Sequence, residues 1–177
     1  ELAALLAAEA GLVWKGPLIA QAVEQLFREV AWPDLDVLVV DMPPGTGDVP
    51  LAVLETVPLA GAVIVSSPDA LGLADAERGI SLLHGADVPV FGLAETMGAF
   101  VCPCCGMLER LHPDGAVAAL ARRRHLRFLG NLPLDPQAAD CAGAGHPLVL
   151  AHPDSPASAA MTTLAARVAE ALAREDR

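Results

Sequence analysis

Short apolar runs alternate with longer helical patterns along most of this chain. Four runs bounded by turn residues predict buried strands, namely Val37–Val40, Ala62–Ser66, Val90–Ala94 and Leu126–Leu129. Apolar residues at helical spacing predict helices at Pro17–Val30, Asp69–His84, Asp114–His125 and Ser158–Ala173. Because strands that alternate with helices form βαβ units, this order predicts an α/β fold with a doubly wound, mainly parallel sheet. We expect residues 1–177 to form a single domain.

Composition excludes some classes of function. Hydrophobic residues make up 54% of the chain and charged residues 19%, which supports a sizeable core and argues against a disordered chain. The net charge of -11 disfavours binding to nucleic acid, because such binding depends on basic contacts to phosphates. No apolar run approaches the ~18 residues that a membrane-spanning helix needs. Neither a nucleic acid nor a membrane is therefore expected as a partner.

Three of the four cysteines, Cys102, Cys104 and Cys105, lie within four residues of one another. A disulfide framework spreads its cysteines along the chain, so this crowding favours a reducing, cytoplasmic compartment and a metal or redox role. The stretch Ala99–Pro113 that carries them interrupts the alternation of strands and helices, and we interpret it as an inserted functional loop. The fourth cysteine, Cys141, is predicted to be a small buried side chain.

An acidic, proline-rich and glycine-rich octet, Asp41 to Asp48, follows the first predicted strand directly. Ligands of parallel α/β sheets bind at the carboxyl ends of the strands, which places Asp41 at the ligand edge. An Asp at this place can hold Mg²⁺ in sites of phosphoryl transfer. Gly45 would let a backbone N–H approach a phosphate closely.

The octet resembles the D-x-P-P-G-T-G-D stretch of the Mrp/ApbC family, which are iron–sulfur cluster carriers and P-loop NTPases. Further resemblances follow in the family's order from about Leu12 to Leu172, and they include Trp14–Pro17, Trp32–Asp36, Gly61–Val65, Cys102–Gly106 and Leu129–Asp135.

The resemblance implies a P-loop NTPase fold, ATP and Mg²⁺ as ligands, and a [4Fe–4S] cluster bridged between two chains of a homodimer. It further implies that Asp41 serves Mg²⁺, that Gly45 and Thr46 sense the γ-phosphate, and that Pro133 lies beside the base. Two thiolates in C-x-x-C spacing can face one metal centre, and by resemblance Cys102 and Cys105 ligate the cluster. No ligand role is assigned to Cys104. Recipient iron–sulfur apoproteins would be the partners.

The family's phosphate-binding loop has no counterpart among these 177 residues. The chain has one lysine, Lys15, and it stands in Trp14-Lys15-Gly16-Pro17 rather than in a GK[ST] motif. We therefore interpret the chain as the C-terminal portion of a P-loop NTPase and predict no catalytic residue in it and no ATP hydrolysis by it alone. We also expect it to be marginally stable or prone to associate. Thr96 stands where the family often has an Asn near adenine.

Two other functions fit parts of the sequence. A positioning ATPase of the ParA/MinD type shares the fold, but it lacks a C-x-x-C-G loop. A zinc-stabilised, non-enzymatic interaction module would use the same cysteines, because Zn²⁺ accepts the thiolates that an iron–sulfur cluster takes.

Overall fold

The computed structural model describes residues 16–113 and 115–175. Contacts divide the chain into two compact units, of which the first ends at Pro58 and the second begins at Leu59. The expectation of a single domain over residues 1–177 stays a prediction.

The described part of the first unit contains two helices, α1 at Gly16–Arg28 and α2 at Asp48–Thr56. Helix α1 matches the helix predicted at Pro17–Val30 and contacts α2. Pro50, Ala52 and Val53 are the buried residues of α2.

The predicted strand at Val37–Val40 is wrong, because the structure contains no strand at these residues. Their side chains are largely exposed, and Val39 is 86% exposed. A strand exists only where a neighbouring strand supplies backbone hydrogen bonds, and this segment is paired with no strand of the described residues. The apolar composition of the run was therefore insufficient to define a strand.

The second unit contains a four-stranded sheet. Its strands are β1 at Ala62–Ser66, β2 at Val90–Val101, β3 at Leu108–Arg110 and β4 at Phe128–Leu134. Strand β2 is central, with β1 and β4 parallel to it and β3 antiparallel. The mainly parallel α/β sheet predicted from the sequence is confirmed.

Strands β1 and β2 begin where the sequence predicts, but β4 begins two residues later than the predicted run. The backbone N–H of Leu126 donates to the carbonyl oxygen of Ala121, so Leu126 still belongs to the end of the preceding helix. His125 has a positive φ of 57°, which turns the chain out of that helix before the strand starts.

Five helices accompany the sheet in the described part of this unit. They are α3 at Ala70–Gly85, α4 at Ala116–Arg123, α5 at Pro136–Gly143, α6 at Leu148–Ala151 and α7 at Pro156–Glu175. Helix α3 begins after Asp69, whose carboxylate accepts the backbone N–H groups of Leu71 and Gly72. No described helix is long and apolar enough to cross a membrane.

The main core lies between the sheet and helices α3 and α4. It contains Ala76, Ile80, Leu93, Val117, Leu120 and Ala121. A smaller cluster packs Cys141 against Leu148 and Ala157. The prediction that Cys141 is a small buried side chain is therefore confirmed.

Strand β2 is irregular near its middle. Residues up to Thr96 pair with the parallel strands, and Ala99 to Val101 pair with β3, while Phe100 also pairs with Leu134 of β4. Met97 lies between these parts with a positive φ of 59°, and the register to β4 shifts between Thr96 and Phe100. Strand β2 therefore runs from the parallel part of the sheet into the hairpin that it forms with β3.

Candidate functional site

The cysteines lie in the hairpin turn between β2 and β3, here called the Cys turn, residues 102–107. The backbone N–H of Cys102 donates to the carbonyl oxygen of Met107 at 2.9 Å, and the N–H of Gly106 donates to the carbonyl oxygen of Cys102 at 2.8 Å. Gly106 has a φ of +69°, a conformation that costs glycine little and other residues more. The predicted inserted loop at 99–113 therefore has a defined hairpin backbone.

Within the Cys turn, hydrogen bonds favour the thiolate form of Cys102. The backbone N–H groups of Cys104 and Cys105 and the thiol of Cys105 donate to the Cys102 sulfur and lower its pKa. Desolvation and the carboxylate of Glu109 oppose this shift but do not reverse it. Because the thiolate is the form that binds metals, the turn prepares Cys102 as a ligand.

Cys102 and Cys105 are thus brought together, as the C-x-x-C spacing predicts. Cys102 is partly buried, while Cys104 and Cys105 are exposed. Among the described residues, no three His, Cys, Asp or Glu side chains gather in a group that could hold a metal ion. The ligand roles of Cys102 and Cys105, and the absence of one for Cys104, stay predictions.

The residues predicted to bind the nucleotide phosphates and Mg²⁺ lie in the first unit. Asp41, Gly45 and Thr46 are exposed on the segment that leads into α2 at Asp48. Gly45 has a φ of +89°, so this position does require a glycine-like backbone. Gly45 and Thr46 directly precede Gly47, the N-cap of α2, and at a helix N-terminus unpaired N–H groups and the helix dipole favour anions.

Two segments that the resemblance implies at the base lie side by side in the second unit. Thr96 of β2 is the register partner of Leu132 of β4, and Pro133 follows Leu132. Both segments lie toward the carboxyl ends of parallel strands, which is where ligands of α/β sheets bind. Thr96 and Pro133 are partly buried.

A buried polar pair beside these residues was not predicted from the sequence. Asn131 Nδ2 donates to Glu95 Oε1 at 2.6 Å, although Glu95 is only 4% exposed. Within residues 16–113 and 115–175, Glu95 Oε2 and Asn131 Oδ1 have no hydrogen-bond partner. The sequence feature that could have indicated this pair is a charged residue, Glu95, at the end of an otherwise apolar strand. A buried carboxylate needs a hydrogen-bond donor or an opposite charge beside it.

Gly98 makes this pair possible. A Cβ atom at position 98 would overlap Glu95 Oε1 and would lie 2.9 Å from Asn131 Nδ2. The pair lines a pocket of about 330 Å³ in the second unit.

Comparison with known proteins identifies the family. Residues 2–169 match the ParA family described as NUBPL iron-transfer P-loop NTPase. The chain belongs to this family. Membership in the iron-transfer P-loop NTPases agrees with the resemblance to the Mrp/ApbC carriers, and that prediction is confirmed.

Curated relatives agree with the family match. The chain is 40% identical over 161 residues to an iron-sulfur cluster carrier protein of Escherichia coli strain K12, which covers 91% of this chain and 44% of the relative. It is also 40% identical over 164 residues to an Arabidopsis thaliana mitochondrial iron-sulfur protein required for NADH dehydrogenase, which covers 93% of this chain and 52% of the relative. The chain thus spans about half the length of these relatives.

Solved structures agree on the fold. A nucleotide-binding protein of Archaeoglobus fulgidus in complex with ADP is 38% identical, with a TM-score of 0.64 over 72% of this chain and 53% of that protein. The cell division ATPase MinD of Pyrococcus furiosus is 19% identical, with a TM-score of 0.62 over 88% of this chain and 59% of MinD. The MinD match concerns the fold alone.

Proposed function

We propose that this iron-transfer P-loop NTPase carries a [4Fe–4S] cluster held by Cys102 and Cys105 of two chains in a homodimer. The observation that carries this proposal is the Cys turn, where the backbone hydrogen bonds from Cys102 to Met107 and from Gly106 to Cys102 hold Cys102 and Cys105 in one tight hairpin turn. A [4Fe–4S] cluster takes four thiolates, and one C-x-x-C pair supplies two. A second copy of the chain supplies the same pair and completes the set.

The chemistry of the Cys turn suits a carrier that releases its cargo. Cys105 is exposed and Cys102 is partly exposed, so thiols of a recipient apoprotein can approach the bound cluster. Transfer then proceeds by replacement of the carrier's thiolates with those of the recipient, one ligand at a time. Because free thiols persist in reducing compartments, we place the carrier in the cytoplasm.

Anaerobic reconstitution with ferrous iron and sulfide tests the ligand assignment. Iron, acid-labile sulfide and the visible absorbance of the cluster are measured for the wild-type chain and for serine variants. Cys102→Ser and Cys105→Ser should lose the cluster, whereas Cys104→Ser and Cys141→Ser should retain it. Retention of the cluster by Cys102→Ser, or its loss in Cys104→Ser, would contradict the assignment.

Zinc is the main competing metal, because it accepts the same thiolates in a structural site. Metal analysis of the protein purified without oxygen separates the two functions. Iron with an equal amount of sulfide supports the cluster carrier, while zinc without sulfide supports an interaction module.

We further propose that the intact protein binds and hydrolyses Mg·ATP, with Asp41 serving Mg²⁺ and with Gly45 and Thr46 sensing the γ-phosphate. Support comes from the glycine conformation at Gly45 and from the position of Gly45 and Thr46 before α2. Pro133 and Thr96 are proposed to lie beside the base, because they occupy neighbouring strands at the ligand edge.

Nucleotide binding is tested by joining this sequence to the GK[ST]-containing segment of a relative. Asp41→Asn in that protein should weaken Mg·ATP binding and lower the turnover rate, while Asp36→Asn, a matched change of an exposed carboxylate, should do neither. Unchanged affinity and turnover in Asp41→Asn would remove Asp41 from the site. The 177-residue chain alone should hydrolyse ATP at the background rate, since positioning and charge neutralisation supply nearly all of this catalysis.

A further inference from the structure

The Cys turn carries three thiols, of which the proposed cluster uses two. Cys104 and Cys105 are exposed and Cys102 is partly buried, so small molecules in solution can reach the turn. All three are free thiols in the structure. The geometry of the turn determines which of these thiols can react with one another.

The turn brings its first and last cysteines together. The backbone N–H of Gly106 donates to the carbonyl oxygen of Cys102 at 2.8 Å, which closes the equivalent of one helical turn over residues 102–106. Residues three positions apart in such a turn share one face. Cys102 and Cys105 have this separation, and the thiol of Cys105 donates to the Cys102 sulfur.

Cys104 is placed less well for a disulfide. It stands two positions after Cys102, and residues at this separation do not face each other in a helical turn. A bond to the adjacent Cys105 would close a small ring around their shared peptide bond and strain its planarity. For Cys102 and Cys105, a turn holds the Cα atoms within about 7 Å, and a disulfide needs about 4.4–6.8 Å.

We propose that the Cys turn without its cluster is a reversible disulfide site, in which Cys102 and Cys105 become joined by reaction with a small disulfide such as glutathione disulfide. The exposed thiol of Cys105 first attacks glutathione disulfide, which forms a mixed disulfide and releases one glutathione. The Cys102 sulfur then attacks the Cys105 sulfur and releases the second glutathione. The cysteines lose two electrons and two protons, which convert one glutathione disulfide into two glutathione molecules.

The consequence for cargo rests on the proposed function, because the disulfide takes both sulfurs that are proposed to ligate the cluster. A closed turn accepts no cluster, and a bound cluster leaves neither sulfur free to react. Exposed disulfides are readily reduced, so an excess of reduced glutathione reopens the turn. Cargo loading therefore follows the thiol balance of the compartment.

Mass spectrometry of the oxidised chain tests the pairing. The reduced, cluster-free chain is treated with glutathione disulfide, alkylated and cleaved with trypsin, which gives one peptide, residues 79–110, that contains every thiol of the turn. We expect this peptide to lose two hydrogen atoms and to carry one alkylated thiol, at Cys104. Three alkylated thiols, a stable glutathione adduct or a disulfide that includes Cys104 would overturn the proposal.

Serine variants separate the roles of the three thiols. Cys104→Ser is the matched control and should close as the wild-type chain does. Cys102→Ser should stop at the mixed disulfide, with glutathione attached to Cys105. Closure of Cys102→Ser through Cys104 and Cys105 at the wild-type rate would overturn the assignment of the pair.

Zinc binding tests whether closure blocks the metal site. Zn²⁺ alone is titrated into the reduced and the oxidised chain by calorimetry, because it takes the same thiolates and needs no sulfide, which could itself reduce the disulfide. The oxidised chain should bind Zn²⁺ at least about tenfold more weakly. Equal affinity of the two forms would overturn the block.

This proposal and the proposed function fail separately. Closure of the turn requires no cluster, so a chain that closes but assembles no cluster after reduction would overturn the proposed function and support the disulfide site. A chain that assembles the cluster but keeps all three thiols free in glutathione disulfide would overturn the disulfide site alone.

Discussion

Two short runs of this chain, Val37–Val40 and Val90–Ala94, are both apolar but have different structures. The second forms the start of β2, where it pairs with β1 and β4 and buries Leu93 completely. The first is not a strand, and Val39 within it is 86% exposed. Apolar composition therefore permits a strand, while hydrogen-bonded neighbours on its edges determine whether one forms.

The two segments that carry the predicted site residues, one after each of these runs, also differ in structure. The segment with Asp41, Gly45 and Thr46 is exposed and leads into α2. The Cys turn is closed by two backbone hydrogen bonds between Cys102 and its partners Met107 and Gly106. The fold of the second unit therefore positions the cysteines directly.

The largest expected effect is the loss of folding stability when a buried side chain, and not an exposed one, is shortened. Leu93→Ala should lower the free energy of unfolding by about 2–5 kcal/mol, because it leaves a cavity in the core. Val39→Ala should change it by less than about 0.5 kcal/mol, as is usual for exposed positions. Urea unfolding followed by circular dichroism measures both. Comparable destabilisation by the two variants would show that residues 37–40 are buried in solution.

A smaller effect is expected at the glycine of the Cys turn. The space around the Cβ position of residue 106 is open, so alanine would meet no clash there. Gly106→Ala nevertheless forces alanine into a φ of +69°, which costs about 1–2 kcal/mol. Amide hydrogen exchange at positions 102 and 106 should be about 5–30 times faster in this variant than in the wild type.

Gly47→Ala serves as the control for that change. Gly47 has a φ of -78° and also has open space around its Cβ position, so alanine fits there without strain. Exchange within the second unit should stay unchanged in this variant. Equal exchange rates in Gly106→Ala and wild type would mean that the turn does not require the left-handed conformation.

Much of the second unit was predictable from sequence because its signals are local. Helix α3 begins one residue after the predicted start at Asp69, and β1 occupies the predicted residues Ala62–Ser66. The continuation of β2 to Val101 and the pairing of Glu95 with Asn131 were not predictable, since they depend on contacts between distant segments. Cys102 and Cys105 could be paired from spacing, whereas the thiolate-stabilising N–H groups required the backbone conformation of the turn.

The smallest expected effect is the decrease in melting temperature when an acidic side chain at the start of a helix is removed, compared between α3 and α2. The side chain of Asp69 caps α3, while Gly47 before α2 provides no side-chain cap. The hydroxyl of Ser67 and the N–H groups of Gly72 and Leu71 lower the pKa of Asp69. Asp69→Ala should therefore lower the melting temperature at pH 7, and Asp48→Ala in α2 should lower it less.

The pH dependence of that effect has a defined sign. A carboxyl group whose pKa is lower in the folded state stabilises the fold above its unfolded pKa, and the contribution is lost as the pH falls through the folded pKa. The difference in melting temperature between wild type and Asp69→Ala should shrink below about pH 4. A difference that grows toward low pH would contradict the assigned role of the Asp69 carboxylate.

Native mass spectrometry of the anaerobically reconstituted protein tests most directly the central claim that the Cys turns of two chains share one cluster. We expect a dimer whose mass exceeds that of two chains by one [4Fe–4S] cluster, with Cys102→Ser remaining a monomer without iron. A monomer that carries a complete cluster, or a dimer that carries zinc and no sulfide, would contradict it.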